Sequence, residues 1–268
     1  MHASTVRSLL VRGMLAGLVA GLFAFAVAYV VGEPPVNGSI AVEEAQAAHE
    51  AGAHAGHGAA AAEEPAEEEA VSRDVQSTFG LATGVLVYGV ALGGIAALAF
   101  SFTLGRVGRF SPRATAALVS AAAFTTVYLV PFLKYPATPP AVGNPDTIGK
   151  RTTLFFLMIL LSVLLGVAAV IAGRRLAPRL GNWNATLAAG AGFVVVTAVA
   201  FAVLPDNDDA VKAGFPAALL WEFRVASLAV QLVMWAVFAV VFGVLAQKAL
   251  APRVAAEAPA QVGAPVAG

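Results

Sequence analysis

LLVRGMLAGLVAGLFAFAVAYVV, residues Leu9–Val31, is the stretch on which the fold turns. A bilayer core takes about 20 apolar residues of helix, because lipid offers no partner to backbone N–H and C=O groups and the segment must satisfy them itself. Arg7 and Arg12 at its start and Ala26-Val27-Ala28 near its end mimic a secretory signal with a cleavage site. The apolar run is longer than the roughly 7–15 residues of a signal core, so the stretch is expected to be a retained span. Five further stretches reach the same length: Thr78–Leu104, Ala114–Leu133, Thr152–Ala172, Ala185–Leu204 and Val225–Ala246. The composition of the 268 residues agrees, with 59% hydrophobic, 12% charged and a mean hydropathy of +0.80. Soluble chains carry about twice that charge fraction. The expectation is an all-α membrane protein of six transmembrane helices, one membrane domain over residues 1–250, followed by a disordered cytoplasmic tail over 251–268.

Charge sets the orientation. The N-terminal end, the Gly105–Arg113 and Gly173–Asn184 connections and the C-terminal tail hold ten Lys and Arg against one acid, Glu257, a balance of +9. The opposite side holds Arg73, Lys134, Lys150, Arg151, Lys212 and Arg224 against the other fifteen acids, a balance of −9. Lys and Arg favour the cytoplasmic side, which predicts a multi-pass protein of the cell membrane with both termini inside. Net charge is zero and no basic stripe is present, so nucleic acid is not an expected partner. The absence of cysteine removes disulfides, thiolate metal sites and cysteine nucleophiles together.

Within the first span, Gly13, Gly17 and Gly21 recur every four residues, and Gly80/Gly84 and Gly89/Gly93 repeat the spacing in the second. Small residues at that interval let helix backbones approach closely in lipid, so these two spans are expected to pack together. Each odd span leaves the membrane at a proline (Pro34, Pro131, Pro205), and each even span re-enters just after an arginine (Arg73, Arg151, Arg224). Three helical hairpins of one design would produce that pattern, and so would bare topology, since prolines terminate helices anyway.

Between the first two spans, residues 32–74 form an outer segment with ten acids, one base (Arg73) and three of the four histidines, His49, His54 and His57. Gly32-Glu33-Pro34-Pro35 reads as a helix stop, Ser39 as the cap of a short surface helix, and the Ala/Gly/Glu/Pro composition beyond His49 as disorder. The loop over 131–151 is different: five prolines with Phe132 and Tyr135 predict a stiff, docked connection, because proline lowers the entropy lost on ordering. The loop over 205–223 is short and leads through Gly214-Phe215-Pro216 into an interfacial helix with Trp221 in the headgroup belt.

Chemistry has few places to reside. No Asp, Glu, Lys or His lies deep in a span; polar groups at depth are hydroxyls, with one amide, Gln231. Most of those hydroxyls are expected to bond back to their own helix. Nucleotide-binding glycine loops, Gly-x-Ser-x-Gly and His-Glu-x-x-His are absent, so neither an enzyme nor a nucleotide-driven machine is expected, and no tightly bound cofactor. Imidazole and carboxylate do ligate cobalt, nickel, copper and zinc, which makes His49, His54, His57, Glu43, Glu44 and Glu50 the candidate metal ligands. A solvated acidic linker with incidental histidines is the other reading of the same residues.

Several stretches resemble one family. Val11-Arg12-Gly13-Met14-Leu15-Ala16-Gly17, Gly32-Glu33-Pro34 with Ile40-Ala41-Val42-Glu43-Glu44-Ala45, and Pro131-Phe132-Leu133-Lys134-Tyr135-Pro136 with Arg151-Thr152 are similar to the CbtA family of predicted cobalt transporter subunits. So are Gly214-Phe215-Pro216-Ala217, Leu219-Leu220-Trp221, Phe223-Arg224 and Gln231. The resemblance implies uptake of divalent cobalt as cargo, linked to cobalamin synthesis, beside a small single-span partner that bears histidines. A non-transporting scaffold or metal-capture subunit serving a separate permease is the alternative.

Arg73, Arg151 and Arg224 each sit where the topology rule and the helix dipole both disfavour a base. Partners are therefore expected to hold them: the adjoining acids Asp74, Asp146 and Glu222, or carbonyls of the proline-rich loop. Glu33, Lys134, Asp146, Arg151, Glu222, Arg224 and Gln231 are the residues expected to build an outer vestibule. Snorkelling of the arginines to lipid phosphate is the competing account.

Overall fold

The computed structural model describes residues 3–55, 72–140, 142–207, 211 and 214–251. These are helical and contain no strand. Five helices are long and apolar enough to cross a membrane, one of them 56 residues long.

The first helix does not stop at its prolines. α1 (Ala3–Val27) passes through a π-turn (Ala28–Gly32) directly into α2 (Glu33–Ala55). The amide of Glu33 bonds to the carbonyl of Ala28, five residues back. A proline in an α-helix lacks an N–H and collides with the carbonyl four residues earlier. The extra residue in the turn displaces those carbonyls just before Pro34 and Pro35, so the helix continues where a stop was expected. Ser39 is accordingly no cap but lies within α2, buried at 1% exposure. At 1.5 Å per residue, α2 reaches roughly 35 Å past the π-turn. The expected disorder beyond His49 gives way to helix as far as Ala55, and residues 56–71 lie outside the described residues.

The same device recurs. α3 (Arg73–Val75) enters α4 (Leu81–Thr103) through a π-turn over Gln76–Gly80. α5 (Pro112–Ala123) continues through a π-segment (Phe124–Leu129) into α6 (Val130–Lys134), where the amide of Val130 bonds to the carbonyl of Thr125 ahead of Pro131. The proline-rich connection therefore begins after Lys134 and not at Pro131. Ser111 caps α5 by accepting from the amide of Ala114 at 3.2 Å, with Pro112 in the first turn.

α7 (Ile148–Val203) covers both of the stretches read as the fourth and fifth spans, with a non-helical break at Gly181 (φ 76°, ψ 161°). Only glycine adopts that φ without strain. Across the break Gly173 comes within reach of Ala189, where an added Cβ would lie 3.3 Å from the Ala189 Cβ. A straight helix would hold residues 16 apart at about 24 Å, so the chain reverses at Gly181. α8 (Ala217–Leu250) closes the fold.

Two packed clusters result. Ala16, Ala20, Ala24, Ala96, Ala97, Phe100, Trp235, Phe238 and Phe242 belong to one, joining α1, α4 and α8 with α5. Here Phe100 meets Phe242 edge-on at 5.1 Å, and Phe242 stacks on Phe238 at 5.2 Å. Gly17 lies opposite Gly89 and Gly13 opposite Gly93; a Cβ on Gly89 would stand 2.5 Å from the Gly17 carbonyl oxygen. The expected glycine seam is therefore formed by Gly89/Gly93. Gly84, with the same spacing, has nothing within 4 Å. Val130, Tyr135, Leu154 and Met158 form the second cluster with Phe155, Phe193, Phe201 and Leu204. It seats α7 on α6 and the preceding π-segment, where Ser162, fully buried, donates to the carbonyl of Thr126. Much of α7 is bare: Val194, Val195, Val199 and Val203 are all exposed, as expected of side chains that meet lipid tails.

Candidate vestibule

The three arginines sit at the end of the bundle from which α2 projects, and each is held by protein. Arg73 pairs with Glu33 and donates through Nε to Asn37 Oδ1 at 3.0 Å, fastening α3 to the root of α2. Arg151 donates through Nη2 to the carbonyl of Asn144 at 3.2 Å, and its guanidinium lies on Gly143. A Cβ there would stand 2.5 Å from Nη2 and 2.7 Å from Cζ. Arg224 donates through Nε to the carbonyl of Ala137 at 3.3 Å. The adjoining acids Asp74, Asp146 and Glu222 are not the partners: among the described residues, the ion pairs are Arg73–Glu33 and Lys134–Asp206.

The proline-rich loop, residues 135–147, is docked on several elements at once. Ser39 of α2 donates to the carbonyl of Pro140 at 2.7 Å, while its neighbour Gly38 faces Leu219 of α8, so near that a Cβ would stand 2.9 Å from the leucine Cδ1. Val142 is buried. Tyr135 Oη donates to the carbonyl of Pro205 at 2.8 Å, tying this loop to the start of the next. Burial holds the Tyr135 phenol above its usual pKa, with Lys134 opposing that shift and Asp206 adding to it. The Lys134 ammonium, itself well buried, lies 5.8 Å from the Tyr135 ring centre and pairs with the exposed carboxylate of Asp206.

Two adjoining cavities open around this loop. One, of about 280 Å³, is lined by Lys134, Tyr135, Pro136, Asp206, Asn207, Val211 and Arg224. The other, of about 500 Å³, shares Tyr135, Pro136 and Asn207 and extends past Arg151, Thr152 and Phe155 to Tyr128 and Phe132. The Nε of Arg151 and the Oδ1 of Asn207 are buried without a partner. Deeper in the bundle Gln231 donates through Nε2 to Tyr88 Oη at 3.5 Å, leaving its own Oε1 buried and unpaired.

Three of the candidate metal ligands are described with their surroundings. Glu43, Glu44 and His49 are exposed on the projecting part of α2, Glu50 and His54 lie further along the same helix, and His57 falls outside the described residues. Among the described residues no three of His, Asp and Glu are grouped to hold a metal. Of the expected vestibule set, Lys134 and Arg224 line the smaller cavity and Arg151 the larger. Glu33 supports Arg73, Gln231 lies below, and Asp146 and Glu222 line neither. Asn37, Asn144, Asp206 and Asn207 were not among the residues expected to build the vestibule, and Ser39 was read only as a cap. Asn144 stood within the loop already expected to dock, but Ser39 contributed no signal beyond a false cap.

No curated protein and no solved structure matches the chain. A family model described as "Probable cobalt transporter subunit (CbtA)" matches residues 6–247, which takes in both cavities and all of the helices but the outer ends of α1 and α8. With nearly the whole chain matched, the protein belongs to the CbtA family of probable cobalt transporter subunits.

Proposed function

We propose that this chain is the integral membrane subunit of a divalent-metal uptake system, with cobalt as its cargo, supplying cobalamin synthesis. Family membership over residues 6–247 is the observation that carries this reading. The paired cavities at the α2 end add a place where a solute would first be received, and membership in a family of transporter subunits fits a non-enzyme. In this reading α7 crosses twice, folding back at Gly181, which makes six passes in the cell membrane with both termini in the cytoplasm. The charge division of +9 and −9 supports that orientation. α2 and the cavities then face outside, where a small single-span partner bearing histidines would deliver metal. The histidines and glutamates of α2 and of the segment after it gather cations loosely at the mouth, over about a Debye length of ~8 Å at physiological salt.

A second reading, a scaffold or metal-capture subunit that serves a separate permease, is favoured by one observation: no group of three metal-ligating side chains is assembled among the described residues. Cobalt accumulation in cells expressing this chain, with and without the small partner, separates the two. Accumulation that follows this chain in cells lacking other cobalt permeases supports transport. Accumulation only when a separate permease is present supports the scaffold.

A further inference from the structure

Among the described residues, the lining of the two cavities has the wrong sign for a bare divalent cation. Their described residues include three bases, Lys134, Arg151 and Arg224, and a single acid, Asp206. Lys134 and Asp206 neutralise each other. Arg151 and Arg224 are held by the carbonyls of Asn144 and Ala137, which orient a guanidinium without cancelling its charge. Two cationic forks therefore face adjoining cavities with no described carboxylate to answer them. Inside a partly dehydrated cavity that charge is weakly screened and repels a hydrated dication. It attracts a carboxylate, whose two oxygens match the guanidinium fork.

A second observation narrows the ligand. Asn207 lies in the wall shared by both cavities, and its Oδ1 is buried with no donor. A buried acceptor left unpaired is costly, so the fitting ligand brings a hydrogen to this point. Arg151 Nε, also buried and unpaired, asks for an acceptor. A ligand that presents carboxylates to the arginines, and a hydroxyl or a metal-bound water to Asn207, answers both. The larger cavity, about 500 Å³, falls within the range of small-molecule sites, roughly 300–1,000 Å³.

We propose that these cavities receive the metal as an anionic complex with a small hydroxy-polycarboxylate, the arginines reading the carboxylates and Asn207 a hydroxyl or coordinated water. The inference rests on the metal-uptake reading and names the form in which the metal arrives. Resting on charge, it makes the capture step selective for chelated over free metal, with the choice of metal left to the chelator and to α2.

The test uses the purified full-length chain in nanodiscs, titrated calorimetrically with citrate, with cobalt citrate and with cobalt chloride. Citrate and cobalt citrate should bind. Arg224→Lys and Arg151→Lys, which keep the charge but lose the fork, should weaken both by about tenfold or more. Asn207→Asp, nearly isosteric, places a negative charge between the arginines; it should weaken citrate and strengthen cobalt chloride while thermal stability is retained. Binding of cobalt chloride that is untouched by substitution of either arginine would overturn the proposal. So would citrate binding indifferent to Asn207→Asp. Cellular accumulation separates the two readings: citrate binding without any cobalt uptake removes the transport reading and leaves the carboxylate site, whereas uptake of free cobalt unaffected by these variants removes the site and leaves transport.

Discussion

Replacing Gly89 by alanine tests the α1–α4 seam, because the same substitution at Gly84 supplies its own control. At Gly89 the new Cβ would stand 2.5 Å from the carbonyl oxygen of Gly17 and 3.3 Å from the Cα of Gly21, both backbone atoms. Ordinary contact begins near 3.4 Å, so the two helices must separate locally by about 0.9 Å. A gap of that order forfeits a quarter to a half of each dispersion contact along the seam. Overpacking of this kind costs about 1–3 kcal/mol. At Gly84 a Cβ meets nothing within 4 Å. Both substitutions also gain about 0.5–1 kcal/mol of helix propensity. That gain cancels in the comparison, so the difference between the variants measures the packing contribution alone. Thermal unfolding of both proteins in one detergent is the assay, at roughly 2–4 °C per kcal/mol for a chain of this size. Gly84→Ala should melt at or above the parent, and Gly89→Ala about 3–10 °C below Gly84→Ala. Equal melting temperatures would show that the glycines are not in backbone contact, and the seam would be wrong.

Ser162→Ala removes the donor that answers the Thr126 carbonyl in the π-segment; a loss of about 1 kcal/mol is expected, again by melting, and an unchanged melt would mean that the carbonyl finds another partner. Gly143→Ala should push the Arg151 guanidinium off its seat, because the new Cβ would stand 2.7 Å from Cζ; faster hydrogen exchange over residues 142–148, with α1 unchanged, is the expected readout. Tyr135 lies just beyond the α6 span, and its pKa is raised, chiefly by burial. The folded state thus favours the neutral phenol: that stability is fully present below the ordinary tyrosine pKa of about 10 and is lost as pH rises through the higher folded value. Melting temperatures between pH 8 and 12 should therefore fall more steeply for the parent than for Tyr135→Phe, and parallel curves would contradict this.

What could be read from the sequence, and what could not, divides along physical lines. The long apolar helices were legible because lipid demands length and apolarity, which a linear sequence displays. The stretches read as the fourth and fifth spans form one interrupted helix because the break takes a single residue, Gly181, with no loop to mark it. The α1–α4 seam was legible in its spacing, yet the same spacing at Gly80/Gly84 meets no other helix, Gly84 having nothing within 4 Å and Gly80 only the Val75 carbonyl of its own turn: an interval shows that a face is small, not that it is covered. The prolines misled because a break in a helix can be absorbed upstream. Pro34 and Pro131 each follow a π-segment, and nothing in their own neighbourhood announces it.

The arginine partners show why nearness in sequence is a poor guide within a helix. Residues one or two apart do not share a helical face, so Asp74 could not serve Arg73, nor Glu222 serve Arg224. Each guanidinium instead reaches another element: Arg73 to Glu33, 40 positions away, and Arg224 to the carbonyl of Ala137, 87 away. Those distances carry the structural argument further. Arg151 lies in the first turn of α7, which belongs to the second packed cluster, while Arg224 lies in the third turn of α8, which belongs to the first. Both close on one loop, 135–147, and that loop is also held by Ser39 of α2 and by Tyr135 through Pro205. A change in the angle between the two clusters would therefore strain the bonds to the carbonyls of Ala137 and Asn144. The two cavities lie at that junction, so a ligand bound between the arginines would feel the movement and could oppose or favour it.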